Sequence, residues 1–340
     1  MKLNNGVVIG NYSKPYFIAE LNTSHFGNVD TAKQMIDAAK QINCDCVKFQ
    51  SWSADTLYSQ TYYSQNPIAK RFVNKFSLSS DQLKLLADYA QSIGIAFAST
   101  PYSREEADFL IHRCAAPFIK IASMEINNYP YLDYISRTGS AIILSTGMAD
   151  QEEVTRAVQC IRDAGNENLC VLHCVSIYPA APSTINLNNM LTLRKLYPGL
   201  PIGYSDHTIG IETPIAAVAL GAAIVEKHFT LDSTKIGMDN QMAMEPAAFG
   251  AMIQSCHAAW ESLGAFERVV SDAELAQRGN MRRSIVSKRA IAVGTVITSD
   301  DLDFKRPGDG FSPGQIEAVL GKTAAQDISS DEVIYPSMIQ

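Results

Sequence analysis

The chain has 340 residues, 46% of them hydrophobic and 19% charged, with a formal net charge of −7. That balance excludes a disordered chain, and an acidic total without a lysine-rich tract argues against nucleic-acid binding. No apolar run reaches the roughly 20 residues needed to cross a bilayer, and the opening residues lack a secretory h-region, so a cytoplasmic protein without a membrane partner is expected.

The seven cysteines, Cys44, Cys46, Cys114, Cys160, Cys170, Cys174 and Cys256, are odd in number and contain no CxxC pair. They read as buried apolar thiols rather than a disulfide framework or a zinc ribbon.

In chain order, mostly apolar runs occur at 17–21, 45–50, 94–100, 118–123, 141–147, 169–176, 201–207 and 223–229. Apolar composition throughout a run is the mark of a parallel strand buried on both faces. Helical spacing fills the intervals, as in "VDTAKQMIDAAKQIN", "SSDQLKLLADYAQSIG" and "ADQEEVTRAVQCIRDAG". Ser79 with Gln82 and Asp150 with Glu153 have capping-box spacing, and Gly94 and Gly165 stand just past the helix ends. Eight strand–helix units ending near Gly264 predict an α/β fold of the (β/α)8 TIM-barrel type. The first strand is not followed by GxGxxG, which argues against a dinucleotide fold. The connection over 51–78 is long and aromatic, suiting a lid or substrate wall, or equally an oligomer contact.

After Gly264 the composition turns polar and charged. Residues 265–282 are expected to link the barrel domain (1–264) to a compact β-rich module (283–340), whose short alternating runs are broken by Gly, Pro and Asp turns.

A barrel enzyme builds its site at the C-terminal ends of its strands, so those ends should be chemically unusual. They carry Glu20, Lys48 and Gln50, Thr100, Lys120 with Ser123 and Glu125, Ser145 and Thr146, Ser176 and Tyr178, Ser205 and His207, and Glu226 and His228. One such residue alone would be a snorkelling lysine or a hydroxyl satisfying nearby backbone. Polar ends on every strand resist that explanation. A lysine inside an apolar strand is costly to bury unless an anion compensates. Lys48 and Lys120 with Thr100, Ser145 and Ser205 therefore suggest a phosphate or carboxylate cradle, with internal pairs to Glu20 and Glu125 as the alternative. His207 and His228, on adjacent strands, suit a divalent ion that keeps positions open for water and substrate. His25 either joins that site or is a loop residue, and His112, His173 and His257 have no partner pattern.

The motifs "FIAEL", "DCVKFQ", "FASTPYS", "KIASMEINN", "ILSTGM", "HCVSIYPAAPSTINL", "GYSDHTIG", "AAVALGAAIVEKHFTLD" and "KRPGDGFSPGQI" occur in that order along nearly the whole chain. Together they resemble the sialic acid synthase family, a TIM barrel followed by a C-terminal antifreeze-like (SAF) domain. The resemblance implies a phosphoenolpyruvate-dependent C–C bond-forming transferase. It would condense phosphoenolpyruvate with the open aldehyde form of an N-acetylated hexosamine such as N-acetylmannosamine, releasing phosphate by C–O cleavage. By that resemblance Lys48, Thr100, Lys120, Ser123, Ser145, Ser176 and Ser205 hold phosphoenolpyruvate, and His207 and His228 bind Mn²⁺ or Mg²⁺. The ion would polarise the aldehyde and position a water. Glu125 is the expected proton donor, while Glu20, Gln50, Tyr178 and Asp239 match positions that contact the sugar or organise the water. Arg306, in "KRPG", matches an arginine that reaches the N-acyl group from a partner subunit, which implies a domain-swapped homodimer.

The chain departs from the family pattern Glu-x-Gly-x-Asn-His-x-Gly at Asn22 and Ser24, and from Gly-x-Asp-His at Asn240. All three fall on the sugar side, which leaves a diacetamido-trideoxyhexose, the acceptor of legionaminate and pseudaminate synthases, as a close alternative. More distant alternatives are a metal-dependent barrel hydrolase and a non-catalytic sugar-binding paralogue.

Overall fold

Strands buried on both faces need neighbours of the same kind, and the computed structural model, which describes residues 1–340, pairs all eight apolar runs in parallel. They are β1 (Tyr16–Glu20), β2 (Cys46–Ser51), β3 (Ala96–Pro101), β4 (Ile119–Ile121), β5 (Ile142–Ser145), β6 (Leu169–Cys174), β7 (Ile202–Asp206) and β8 (Ile224–His228). Hydrogen-bonded neighbours run in the order β3-β2-β1-β8-β7-β6-β5-β4, and β3 lies beside β4 to complete the ring. This is the expected TIM barrel. Most of its strands are shorter than the apolar runs, since the last residues of several runs already belong to the following loops.

Alternation along each strand divides the apolar residues into two clusters. Phe17, Val47, Ile119, Ile142, Val171, Tyr204 and Val225 face outward into the main core with the helices. Ile18, Cys46, Ala98, Phe118, Ile143, Leu172 and Ile224 face inward and fill the lower barrel together with Leu3 and Ile9. Gly203 shows how tight that interior is, because a β-carbon there would lie 2.5 Å from Leu172 Cδ2.

The expected capping boxes are present. Ser79 and Gln82 open the helix Ser80–Ser92, and Asp150 and Glu153 open Gln151–Asp163. Gly94 and Gly165 adopt φ of +74° and +86° just beyond the two helix ends, where a β-carbon would be strained. The 51–78 connection folds into three helices, Ala54–Leu57, Gln60–Gln65 and Pro67–Phe76.

The chain divides into two compact units, Met1–Gly264 and Ala265–Gln340. In the second, the helix Asp272–Met281 occupies much of the stretch expected to be a linker, capped by Ser271 and burying none of its residues. Two antiparallel strands follow, β9 (Ser284–Ser287) and β10 (Leu302–Lys305), with isolated bridges such as Val286 to Val333 and Ile291 to Ile328. Their core is Ile285, Ile291, Ile297, Leu302, Val319, Ile328 and Ile334.

Candidate active site

Each strand face that fills the lower barrel with apolar residues carries polar ones a step of two further on. Ile18 leads to Glu20, Cys46 to Lys48 and then Gln50, Ala98 to Thr100, Phe118 to Lys120, Ile143 to Ser145, Leu172 to Cys174, Gly203 to Ser205 and Ile224 to Glu226 and His228. These side chains line a cavity of about 350 Å³ at the C-terminal mouth of the barrel, joined by Ser123, Glu125, Ser176, Tyr178, His207 and Asp239. Every barrel residue to which the family resemblance gives a role lines this cavity, whereas Thr146, also at a strand end, does not. Arg306 follows β10 in the second unit and is exposed.

Two buried lysines and two buried glutamates form the floor. Lys48 makes an ion pair with Glu20 and lies 3.0 Å from Thr100 Oγ1 and 3.8 Å from Glu226 Oε1. Lys120 Nζ lies 3.3 Å from the same Glu226 oxygen, which also accepts from Ser205 Oγ at 3.3 Å. The internal carboxylate partners are thus Glu20 and Glu226. Glu125 is turned elsewhere, sitting in the single helical turn Ser123–Glu125 beyond β4 and accepting from Asn128 Nδ2 at 2.8 Å.

Burial alone would neutralise these groups, and their neighbours decide the outcome. For Glu226, burial is outweighed by Lys120 and Lys48, which hold its carboxyl below the usual range. For Lys48, burial is outweighed by Glu20 and Glu226, so its ammonium is held above its usual range. For Glu20, burial prevails over Lys48, and the carboxyl is raised. Two buried polar atoms on the floor, Glu226 Oε2 and Ser145 Oγ, have no hydrogen-bond partner. Buried polar atoms without partners are uncommon, and here they border a cavity.

At the rim, Gln50 Oε1 accepts from Trp52 Nε1 at 2.8 Å and from Tyr102 OH at 3.1 Å. Trp52, Thr56, Leu57 and Tyr58 bring the start of the 51–78 connection into the wall. Ser123 Oγ accepts from the Gly147 N–H at 3.0 Å, tying the β4 loop to the β5 loop. Tyr178 packs on His207 with ring centroids 4.2 Å apart, and the two histidine rings are 5.4 Å apart.

His207 Nδ1 lies 2.7 Å from the Val175 carbonyl, which places a proton on Nδ1. Burial disfavours charge on His207, but the adjacent Cys174 thiol and the Val175 carbonyl lift its pKa above the usual value. Burial, with His207 and Lys48 nearby, pushes His228 well below its usual value, so its imidazole is neutral, the form that binds metals. Two imidazole donors beside a cavity carboxylate, Asp239, fit a divalent ion with open positions, although no cluster of three His, Cys, Asp or Glu side chains is assembled for one.

Several residues take other places. Thr146 lies past the end of β5 and donates to the Leu172 carbonyl at 2.9 Å, outside the cavity lining. His25 also stays out of the lining, accepting from the Gly27 N–H at 3.0 Å, and burial pushes its pKa down to about 4. His173 faces outward, 2.6 Å from the Ile185 carbonyl. Glu226, expected only as a strand-end residue, belongs to the floor, while Tyr102 and Cys174, the latter expected as a buried apolar thiol, join the lining unforeseen. Their signal was the same inward parity, or for Tyr102 the loop position just after β3.

The sequence model of the NeuB family matches residues 35–268, and that of the SAF domain matches residues 282–340. The chain is 37% identical over 328 residues to the N,N'-diacetyllegionaminic acid synthase of Legionella pneumophila, covering 93% of this chain and 92% of that protein. It is 32% identical over 348 residues to the N-acetylneuraminate-9-phosphate synthase of Homo sapiens, covering 100% and 96%. Among solved structures, the N-acetylneuraminic acid synthetase of Leptospira borgpetersenii in complex with citrate matches with a TM-score of 0.75 and 31% identity, over 82% of this chain and 94% of that one.

Proposed function

Because the chain belongs to the NeuB family, the sialic acid synthases, we propose that it joins phosphoenolpyruvate to the open-chain aldehyde of an N-acetylated amino sugar and releases inorganic phosphate. The observation that carries this reading is the cavity floor, where Lys48 and Lys120, both reaching Glu226, are gathered with Thr100, Ser145 and Ser205 above the apolar lower barrel. Two fixed cations with hydroxyl donors match a ligand bearing a phosphate and a carboxylate. Ser123 and Ser176 extend the same cradle.

The enol carbon of phosphoenolpyruvate adds to the aldehyde carbon, forming the new C–C bond, while Glu125 gives its proton to the aldehyde oxygen. Water then adds to the resulting oxocarbenium carbon. The C–O bond to phosphate breaks, one water proton leaves with the phosphate and the other restores Glu125. Holding both reactants against one wall converts their encounter into an intramolecular step. Gln50, Tyr178 and Asp239, above the floor, would orient the sugar, and Glu20 would orient the water. His207 and His228 would hold Mn²⁺ or Mg²⁺, which supplies Lewis-acid polarisation of the aldehyde when bound. Arg306 of a second copy would meet the N-acyl group in a domain-swapped homodimer.

The test is phosphate release from phosphoenolpyruvate with Mn²⁺, comparing N-acetylmannosamine with diacetamido-trideoxyhexoses, the second class being favoured by the likeness to a diacetyllegionaminic acid synthase. Release that depends on one sugar supports the condensation and identifies the acceptor. If no sugar supports release and phosphoenolpyruvate fails to raise the melting temperature, the reading is wrong and a metal-dependent hydrolase takes its place.

A further inference from the structure

Asn22 stands two residues beyond the buried Glu20, is 6% exposed and lines the cavity. Its φ is +36°, in the region glycine enters freely and a side chain enters at a cost. The carboxamide kept at that cost has a partner. Asn22 Nδ2 donates to Asp239 Oδ2, across 217 positions of sequence, while the Asn22 backbone N–H donates to Glu20 Oε1 at 2.9 Å. One residue therefore connects the buried carboxylate at the tip of β1 to the carboxylate on the loop after β8.

Asn240, the neighbouring departure from the family pattern, does something different. It is fully buried, and its carboxamide bonds Thr230 Oγ1 at 2.6 Å and the Asp232 and Lys235 carbonyls at 2.8 Å each, all within its own loop. Asn240 shapes the loop from inside, whereas Asn22 fixes the residue that the loop presents to the cavity.

Resting on the amino-sugar reading above, we propose that Asn22 is a specificity-determining residue for the acceptor, holding Asp239 in one orientation and filling the wall beside it. With Oδ2 engaged, Asp239 offers Oδ1 to a hydroxyl or amide N–H of the sugar. A fixed, half-buried acceptor rejects a sugar lacking the matching donor better than a mobile one does. The carboxamide also occupies space that a glycine would leave to a larger substituent.

The test compares the full-length protein with Asn22→Gly, which preserves the backbone conformation, and with Asn22→Asp, which sets a second carboxylate against Asp239. In Asn22→Gly the acceptor KM is expected to rise about tenfold, and discrimination between amino sugars to fall by a similar factor. The phosphoenolpyruvate KM should stay within about twofold. Backbone hydrogen exchange over residues 236–245 should quicken in both variants. An unchanged acceptor ranking, an equal rise in both KM values, or unchanged exchange would each overturn the proposal. If the natural protein releases no phosphate with any sugar, the condensation fails, and calorimetric sugar binding by the three proteins decides the role of Asn22 instead. Identical affinities, or no sugar binding at all, would refute it.

Discussion

On the outward face of β7 and β8, Asp206 and Lys227 form an ion pair that is 0% and 1% exposed. On the inward face, one residue away along the same strands, Glu226 meets Lys120 and Lys48. The two clusters are buried to a similar degree but bonded differently. Asp206 Oδ1 accepts from Tyr204 OH at 2.8 Å, Thr208 Oγ1 at 2.9 Å and Thr208 N at 3.0 Å, and Lys227 also donates to the Thr208 carbonyl at 2.6 Å. Glu226 crowds three longer contacts onto one oxygen and leaves the other without a donor, as the Ser145 hydroxyl lining the same cavity is left without a partner. Complete bonding marks a pair that stabilises the fold, and incomplete bonding beside a cavity marks a site prepared for a ligand.

Breaking the outer pair should have the largest effect. Asp206→Ala leaves Lys227 charged and buried, and should cost about 3–5 kcal/mol in urea unfolding of the first unit. A loss below about 1 kcal/mol would remove the contrast, being no more than a surface pair contributes. Next comes Glu125→Gln, expected to lower kcat by about a hundred- to ten-thousandfold with the melting temperature unchanged, as the proposed proton-donor role outside both clusters requires. Lys120→Ala should weaken phosphoenolpyruvate binding by about ten- to a hundredfold, judged from bonds to charged groups. Its melting temperature should fall much less than that of Asp206→Ala, and an equal fall would show that the inner cluster is structural too.

The smallest effect belongs to the second unit. The Thr298 backbone N–H and hydroxyl, then Arg289, hold the Asp301 carboxyl below the usual carboxylate range. A depressed folded pKa contributes stability that is complete above the ordinary carboxylate value and is lost as pH falls through the depressed one. Protection from hydrogen exchange over residues 284–305, taken relative to the intrinsic rate at each pH, should therefore fall in acid, and Asp301→Asn should flatten that dependence.

The barrel was legible because continuous apolar runs and capping boxes are local signals. Which strand-end residues line the cavity was legible because side-chain parity carries the chemistry of a strand end to a known place. Pairing within the site was less so. Lys120 finds Glu226 rather than Glu125 because the chain turns into a short helix at Ser123, and sequence does not show where β4 stops. The helix Asp272–Met281 was missed because it buries nothing and so has no apolar stripe to detect. Asn22 was visible only as an unexpected residue, since its partner lies 217 positions away.

The packing of Leu3 and Ile9 into the lower barrel also bears on kinetics. With that end filled, ligands enter and leave through one mouth. A ligand resting on Lys48 lies one inward step beneath one that meets Gln50, so the deeper substrate must load first and the upper one acts as a cork. Steady-state rates should show compulsory order, phosphoenolpyruvate before sugar, and excess sugar should inhibit by sealing an empty floor.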